Sequence, residues 1–321
     1  MALRVERRMS LMELVVLLSY MSTCMGCSSK MELNDSDQDA GIQGNDRIHF
    51  PVTDSGIPEY PFKMSVFGIP IFASPAWSEE KLNHVSSILA ELLDQDEDGC
   101  ADDQSVLKEI TTYENGGLSA SALLPTLQDD VDSKTERIMR EAGYFIATVE
   151  AEDETIPECS GLNFTATCCD ASIEELFHLV TSLGHSNTYP NIFGFDWVTS
   201  SNMTDAVDLA RGGRFLEVPN KYPSSAWYTY YDKTCEYTCQ GVEYLWWGYC
   251  AYSGVCEGRS GAERYESEFR YLTKSEFEAG DVMLSKIFQD SGELYTLPTN
   301  PVDGRYYGSK TCPDGPDHGG D

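Results

Sequence analysis

Apolar residues recur at Leu82, Val85, Ile88, Leu89 and Leu92, the spacing of one buried face of an α-helix. Ser78 stands where a cap is needed, and Glu79 and Glu80 fill the first turn, next to the helix's positive end. Val106, Leu107 and Ile110 mark a second, shorter helix. Upstream, Met64 to Phe72 reads as one strand, with Pro70 confining it to an edge or a bulge. Tyr144 to Val149 reads as another strand and Ala122 to Leu124 as a weaker one, with a helix over Lys134 to Ala142 between them. From Ser172 onward the pattern is helical, over 172–183, about 203–211, about 241–252, and 274–288. These elements predict a single α+β domain. It has a short N-terminal β-sheet, an EF-hand-like helix–loop–helix and a mainly helical, zincin-like C-terminal half.

The ends divide the chain further. Arg4, Arg7 and Arg8 precede an apolar run from Leu14 to Leu18, extended through Tyr20 and Met21. That run is far short of the ~20 residues needed to span a bilayer and suits an export signal over 1–26. Cleavage near Gly26 would release the protein. Cys24-Met-Gly-Cys27 also resembles a bacterial lipoprotein box, in which Cys27 takes a lipid anchor. Residues 27–61 read as an acidic flexible linker, 62–305 as the globular domain with order beginning near Phe62, and 306–321 as a disordered tail. The expected address is secreted or extracellular, with a lipid-anchored surface protein as the alternative; no segment reads as transmembrane.

Composition narrows the function. The formal charge of −31 excludes a general nucleic-acid binder, which needs a basic face. It suits a protein that gathers cations. Eleven cysteines at an exported address predict disulfides. The dense group Cys235, Cys239, Cys250 and Cys256 also permits a zinc cluster.

Between the first two helices lies Asp94-Gln-Asp-Glu-Asp-Gly-Cys-Ala-Asp102. Asp94, Asp96 and Asp98 occupy positions 1, 3 and 5 of a calcium loop. Gly99 is at position 6, the Cys100 carbonyl at 7 and Asp102 at 9. Position 12 is Ser105 in place of the bidentate glutamate, which predicts weak binding, roughly 10⁻⁴ to 10⁻³ M. The competing reading is a solvated acidic turn.

A second set lies in Ser172-Ile-Glu-Glu-Leu-Phe-His178. It fits the zincin pattern His-Glu-x-x-His if Glu174 replaces the first histidine. Glu175 then becomes the general base and His178 the second ligand, one helical turn from Glu174. Glu243, a carboxylate amid Val242, Tyr244, Leu245, Trp246 and Trp247, is the third expected ligand, because such burial is costly without a partner. This oxygen-rich set suits zinc or another divalent metal, calcium, manganese and magnesium included, and implies a metal-dependent hydrolase. The structural alternatives are a capping box for Ser172 and Glu175, a carbonyl partner for His178, and Arg211 or Arg214 as partner of Glu243. His185, seven residues past His178, misses the metzincin spacing, and His84 is expected in solvent.

Several segments together resemble the acid-rich and aspartic acid-rich proteins of coral skeletal organic matrix and their secreted bacterial relatives. They are Ser65-Val-Phe-Gly-Ile-Pro-Ile-Phe72, Leu93-Asp-Gln-Asp-Glu-Asp-Gly99, Glu174-Glu-Leu-Phe-His-Leu179 and Tyr189-Pro-Asn-Ile-Phe-Gly194. Ala210-Arg-Gly-Gly-Arg-Phe215, Ala226-Trp-Tyr-Thr-Tyr230 and Thr234-Cys-Glu-Tyr-Thr-Cys239 continue the likeness. It implies a secreted, calcium-interacting protein associated with extracellular matrix or a mineral surface. The chain as a whole is read as a non-enzymatic binding or matrix protein, with the metal-dependent hydrolase as the alternative. The chain departs from those proteins in lacking long aspartate runs.

Overall fold

The computed structural model describes residues 47–165, 168–255, 257–259 and 268–308. The export-signal and lipoprotein-box residues lie outside them, as do residues 27–46 and 309–321.

The apolar run 64–72 folds as a hairpin where a single strand was expected. β2 (Phe62–Val66) and β3 (Ile69–Ala73) pair antiparallel around Phe67 and Gly68. Both turn residues have positive φ, 49° and 85°, the geometry of a tight hairpin whose twist matches its strands. Pro70 costs little there, because the parallel ladder between β3 and β5 (Leu118–Leu124) begins one residue later, at Ile71 opposite Ala122. β1 (Thr53–Asp54) adds to β2, so ordered structure begins ahead of Phe62, inside the expected linker.

β5 is the hub of the mixed sheet. It runs parallel to β3 and to β6 (Tyr144–Val149), and antiparallel to the two-residue β4 (Glu114–Asn115). Alternation sends Ile71, Ala122, Leu124 and Phe145 into the main core, and Phe72, Leu123 and Ile146 into a smaller one with Val131 and Met139. The smaller core lies under α3 (Ser133–Glu141). The register between β5 and β6 slips by one residue: Ser121 faces Ile146, but Ala122 faces Thr148. Ala147 is the extra residue. The bulge resets the side-chain phase and puts Thr148 on the main-core face.

That face carries the helices. α1 (Glu79–Leu93), capped by Ser78, packs on α4 (Ser172–His178), which in turn touches β6. α4 continues as a π-helical turn over Leu179–His185, against which α2 (Gln104–Thr112) packs. α5 (Asn202–Ala210) leads to α6 (Tyr237–Ser253), which is buried almost all round and stopped by Gly254 at φ 87°. The expected helix over 274–288 is two, α7 (Lys274–Gly280) and α8 (Val282–Gln289). Buried Asp281 separates them. It caps α8 through the Leu284 N–H and accepts from Trp227 Nε1 at 2.7 Å and the Tyr244 hydroxyl at 2.5 Å.

Disulfides join Cys159 to Cys168 and Cys235 to Cys239. Cys100 and Cys250 are also disulfide-bonded, and Cys169 is a buried thiol. Cys235, Cys239 and Cys250 are therefore not thiolates of a zinc cluster. No described helix is long and apolar enough to cross a membrane.

Candidate metal centres

The acidic loop leaves α1 at Asp94, which is fully buried. Its two oxygens collect backbone donors: Gly99 N at 2.8 Å and Asp98 N at 3.2 Å. Gly99 has φ 92° and Glu97 has φ 55°. These two left-handed residues turn the chain back over the Asp94 carboxylate. Gln95 N donates to Asp102 at 2.9 Å, and Asp102 N returns to the Leu93 carbonyl at 2.8 Å, closing the loop. As a result Asp94, Asp96 and Asp102 each bring a carboxylate oxygen within 4.8 Å of the others. At that separation each charged pair repels by about 1 kcal/mol even in water. Desolvation and the charges of Asp94, Asp96 and Asp98 together push the Asp102 carboxyl up to about 6, against the pull of the Gln95 N–H.

Asp98 lies outside the converging trio and accepts from Cys100 N at 2.8 Å. Ser105, at position 12, belongs to the first turn of α2. Asp103 caps that turn through Ser105 N and Val106 N, and its other oxygen accepts from Tyr189 and Thr296. Three carboxylates thus converge at this point, where calcium takes six to eight oxygen ligands.

Sequence reasoning missed a strap over this loop. The disordered tail was expected from residue 306, yet residues 299–307 lie along the end of α1. Gln95 Oε1 accepts from Thr299 N at 2.6 Å and Asn300 N at 3.0 Å. Glu91 accepts from Asp303 N and Arg305 N, and Glu97 from Tyr307 N. Buried Tyr306 donates its hydroxyl to Asp94. Burial raises the Glu91 carboxyl to about 8.

The second set also converges. Glu174 and His178 project from α4 and Glu243 from α6, with ligand atoms within 4.8 Å of one another. His178 Nε2 stands 3.6 Å from Glu243 Oε1 and 3.9 Å from Glu174 Oε1. All three side chains are buried. Neither ring nitrogen of His178 has a hydrogen-bond partner, and neither does Glu243 Oε1. Such a group costs about 1–3 kcal/mol when buried unsatisfied. Burial lowers the His178 imidazole to about 3. Burial first, then the charges of Glu174 and Glu268, hold the Glu243 carboxyl well above the carboxylate range; Glu243 also shares a hydrogen bond with Glu174.

Around this trio the sequence signal thins. Glu175 points toward β6: the Thr148 hydroxyl donates to its carbonyl at 3.0 Å and lies 3.3 Å from its Oε2. Burial, then Glu150 and Glu174, raise its carboxyl strongly. Glu150, buried at the end of β6, accepts from the Thr155 hydroxyl. Tyr230 is buried, and the charges of Glu243 and Glu174 join burial in raising its phenol. Neither Glu150 nor Tyr230 shows a motif in the sequence; only the fold brings them here.

The structural alternatives fall away in turn. Ser172 does not cap α4 in a box with Glu175; its hydroxyl donates to Asp170 at 2.6 Å. Arg211 is occupied by Gln240, Asp208 and the Phe215 carbonyl, and Arg214 lies beside Asp208. His185 is set on the carbonyls of Thr296 and Val180, in keeping with its omission from the ligand set. His84, expected in solvent, is buried with Nε2 2.6 Å from Asp170. Its helix face looks polar because its partner lies 86 residues away. Asp170 also takes the hydroxyls of Ser160 and Ser172, and these bonds together hold its carboxyl low despite burial.

Compared with family models, curated proteins and solved structures, the chain matches none.

Proposed function

We propose that this chain is a secreted, acidic, non-enzymatic calcium-binding protein of extracellular matrix or mineral surroundings, with the 94–102 loop as its ion site. The observation that carries this reading is the convergence of Asp94, Asp96 and Asp102 on one point beneath the left-handed Gly99 turn. An acidic turn built only for solubility would let its carboxylates splay into water. Here one of them is buried, and backbone N–H groups hold the carboxylates of Asp94 and Asp102 inward. A divalent cation removes the repulsion and fixes the angle between α1 and α2. The disulfides, the apolar N-terminal run and the charge of −31 support an oxidising, calcium-rich setting. The matrix partner rests on the segments that resemble those of coral skeletal proteins.

Thermal unfolding with and without calcium tests the reading. At ten to a hundred times Kd, calcium is expected to stabilise the native chain by about 1–3 kcal/mol. Asp96→Ala should abolish that response while leaving the unfolding temperature in chelator close to wild type. A wild-type melting curve that ignores calcium at ~10 mM, well above the Kd of weak extracellular modules, would sink the assignment.

A further inference from the structure

We propose that Glu174, His178 and Glu243 form a second metal centre, separate from the calcium loop, which holds one divalent transition-metal ion of the zinc class. Acidic residues alone would not carry this. The deciding group is His178, an imidazole 2% exposed with no donor or acceptor at either nitrogen. It sits between two carboxylates at 3.6 and 3.9 Å. Those separations are too long for good hydrogen bonds. They suit three ligands whose atoms each stand about 2 Å from a shared ion.

The bland reading is a neutral histidine beside two carboxylic acids that share a proton. That gives Glu174 and Glu243 their mutual hydrogen bond but leaves Glu243 Oε1 and both His178 nitrogens without a partner. An ion satisfies all three side chains at once. The surroundings favour a cation too. The charge of Glu268 acts on Glu243, and Glu175, next to Glu174 on α4, feels Glu150, Glu154, Glu174 and Glu243 together.

The donor set chooses the ion. An imidazole with two carboxylates suits zinc and its neighbours, whereas calcium takes oxygen alone. Three protein ligands also leave a fourth position for water, as in catalytic rather than structural zinc sites. The ligands come from two helices fixed by packing, α4 against α1 and β6, and α6 against α4, so the site is held before the ion arrives. The π-helical turn that starts right after His178 ends the regular helix at the ligand, a placement common at functional sites.

The test uses the full chain, stripped with chelator and dialysed into buffer with millimolar calcium, then titrated with zinc and separately with cobalt. We expect one zinc or cobalt per chain, bound despite the calcium, with visible d–d bands from a low-symmetry cobalt site. His178→Phe and Glu243→Gln should each weaken zinc by more than the ~10–100-fold that loss of an outer-shell partner costs. Asp96→Ala should keep the zinc and lose the calcium response, so the two sites fail separately. Circular dichroism and melting of each variant show whether it is folded; the isosteric Glu243→Gln provides the readout if His178→Phe is not. A folded wild-type chain that takes up no zinc or cobalt would overturn the proposal. So would uptake that neither substitution changes.

Discussion

Asp102 ties the acidic loop to pH. Its carboxyl is raised from 3.8 to about 6, so without a cation the folded state holds its proton more tightly than the unfolded chain. That contribution to stability is complete below 3.8 and is lost as pH rises through about 6. Asp94 and Glu97 are raised as well, burial being the leading cause, and act with the same sign. Calcium binds only the deprotonated acids, so its stabilisation grows over the same interval. Melting in chelator should show stability falling from about pH 4 to 7, and the calcium increment should be small near pH 5 and full near pH 7. A calcium increment independent of pH would disconnect the loop's acids from the ion. The acids themselves were visible in the sequence because their spacing is local. Tyr306, which donates to Asp94 from 212 positions away, was not, since nothing near it marks a phenol as a partner of an aspartate.

Among the elements, α2 and the π-helical turn pack closely. A Cβ on Gly184 would lie 2.6 Å from Val106 Cγ1 and 2.9 Å from Ile110 Cδ1. Gly184→Ala is therefore expected to destabilise the protein by about 1–3 kcal/mol through overpacking, measured by urea unfolding; a neutral result would mean that α2 moves aside freely. Most elements were legible from periodicity and capping: α1 with Ser78 and its acidic first turn, α2 behind its apolar triplet, β6 as a β-branched and aromatic run. The errors have physical causes. The run 64–72 hides a hairpin because Phe67 adopts positive φ, which an aromatic side chain does not advertise. The 274–288 periodicity passes through Asp281, whose two tertiary donors, Trp227 and Tyr244, and its cap on Leu284 N outweigh helix continuation. The bulge at Ala147 and its effect on Thr148 follow from pairing, which one strand's sequence does not contain.

Taken as a whole, the molecule carries 53 acidic against 22 basic residues. Self-repulsion of that size opposes compaction, and mobile ions weaken it over a Debye length that shrinks from about 30 Å at 0.01 M salt to about 3 Å at 1 M. Raising sodium chloride across that range, in chelator, should raise the unfolding temperature, the opposite of a fold held by surface ion pairs. A fall with salt would show that the described pairs, such as Lys81 with Glu152, outweigh the net charge. Global charge, the disulfide chemistry and the positions of both acidic sets could be read from the chain. The enclosure of those sets could not, because it depends on α6 and on the 299–307 strap returning from far along the sequence.

The strap has a mechanical consequence. Tyr306 grips Asp94 with its hydroxyl while its carbonyl holds Ile48 N, so the first and last described segments are fastened at the acidic loop. Any pull on either flank is carried to the Asp94 end of the acidic loop. If the proposed calcium sits in the loop, its seat and the two flanks share one fastening, so a pull on either flank should shift calcium affinity.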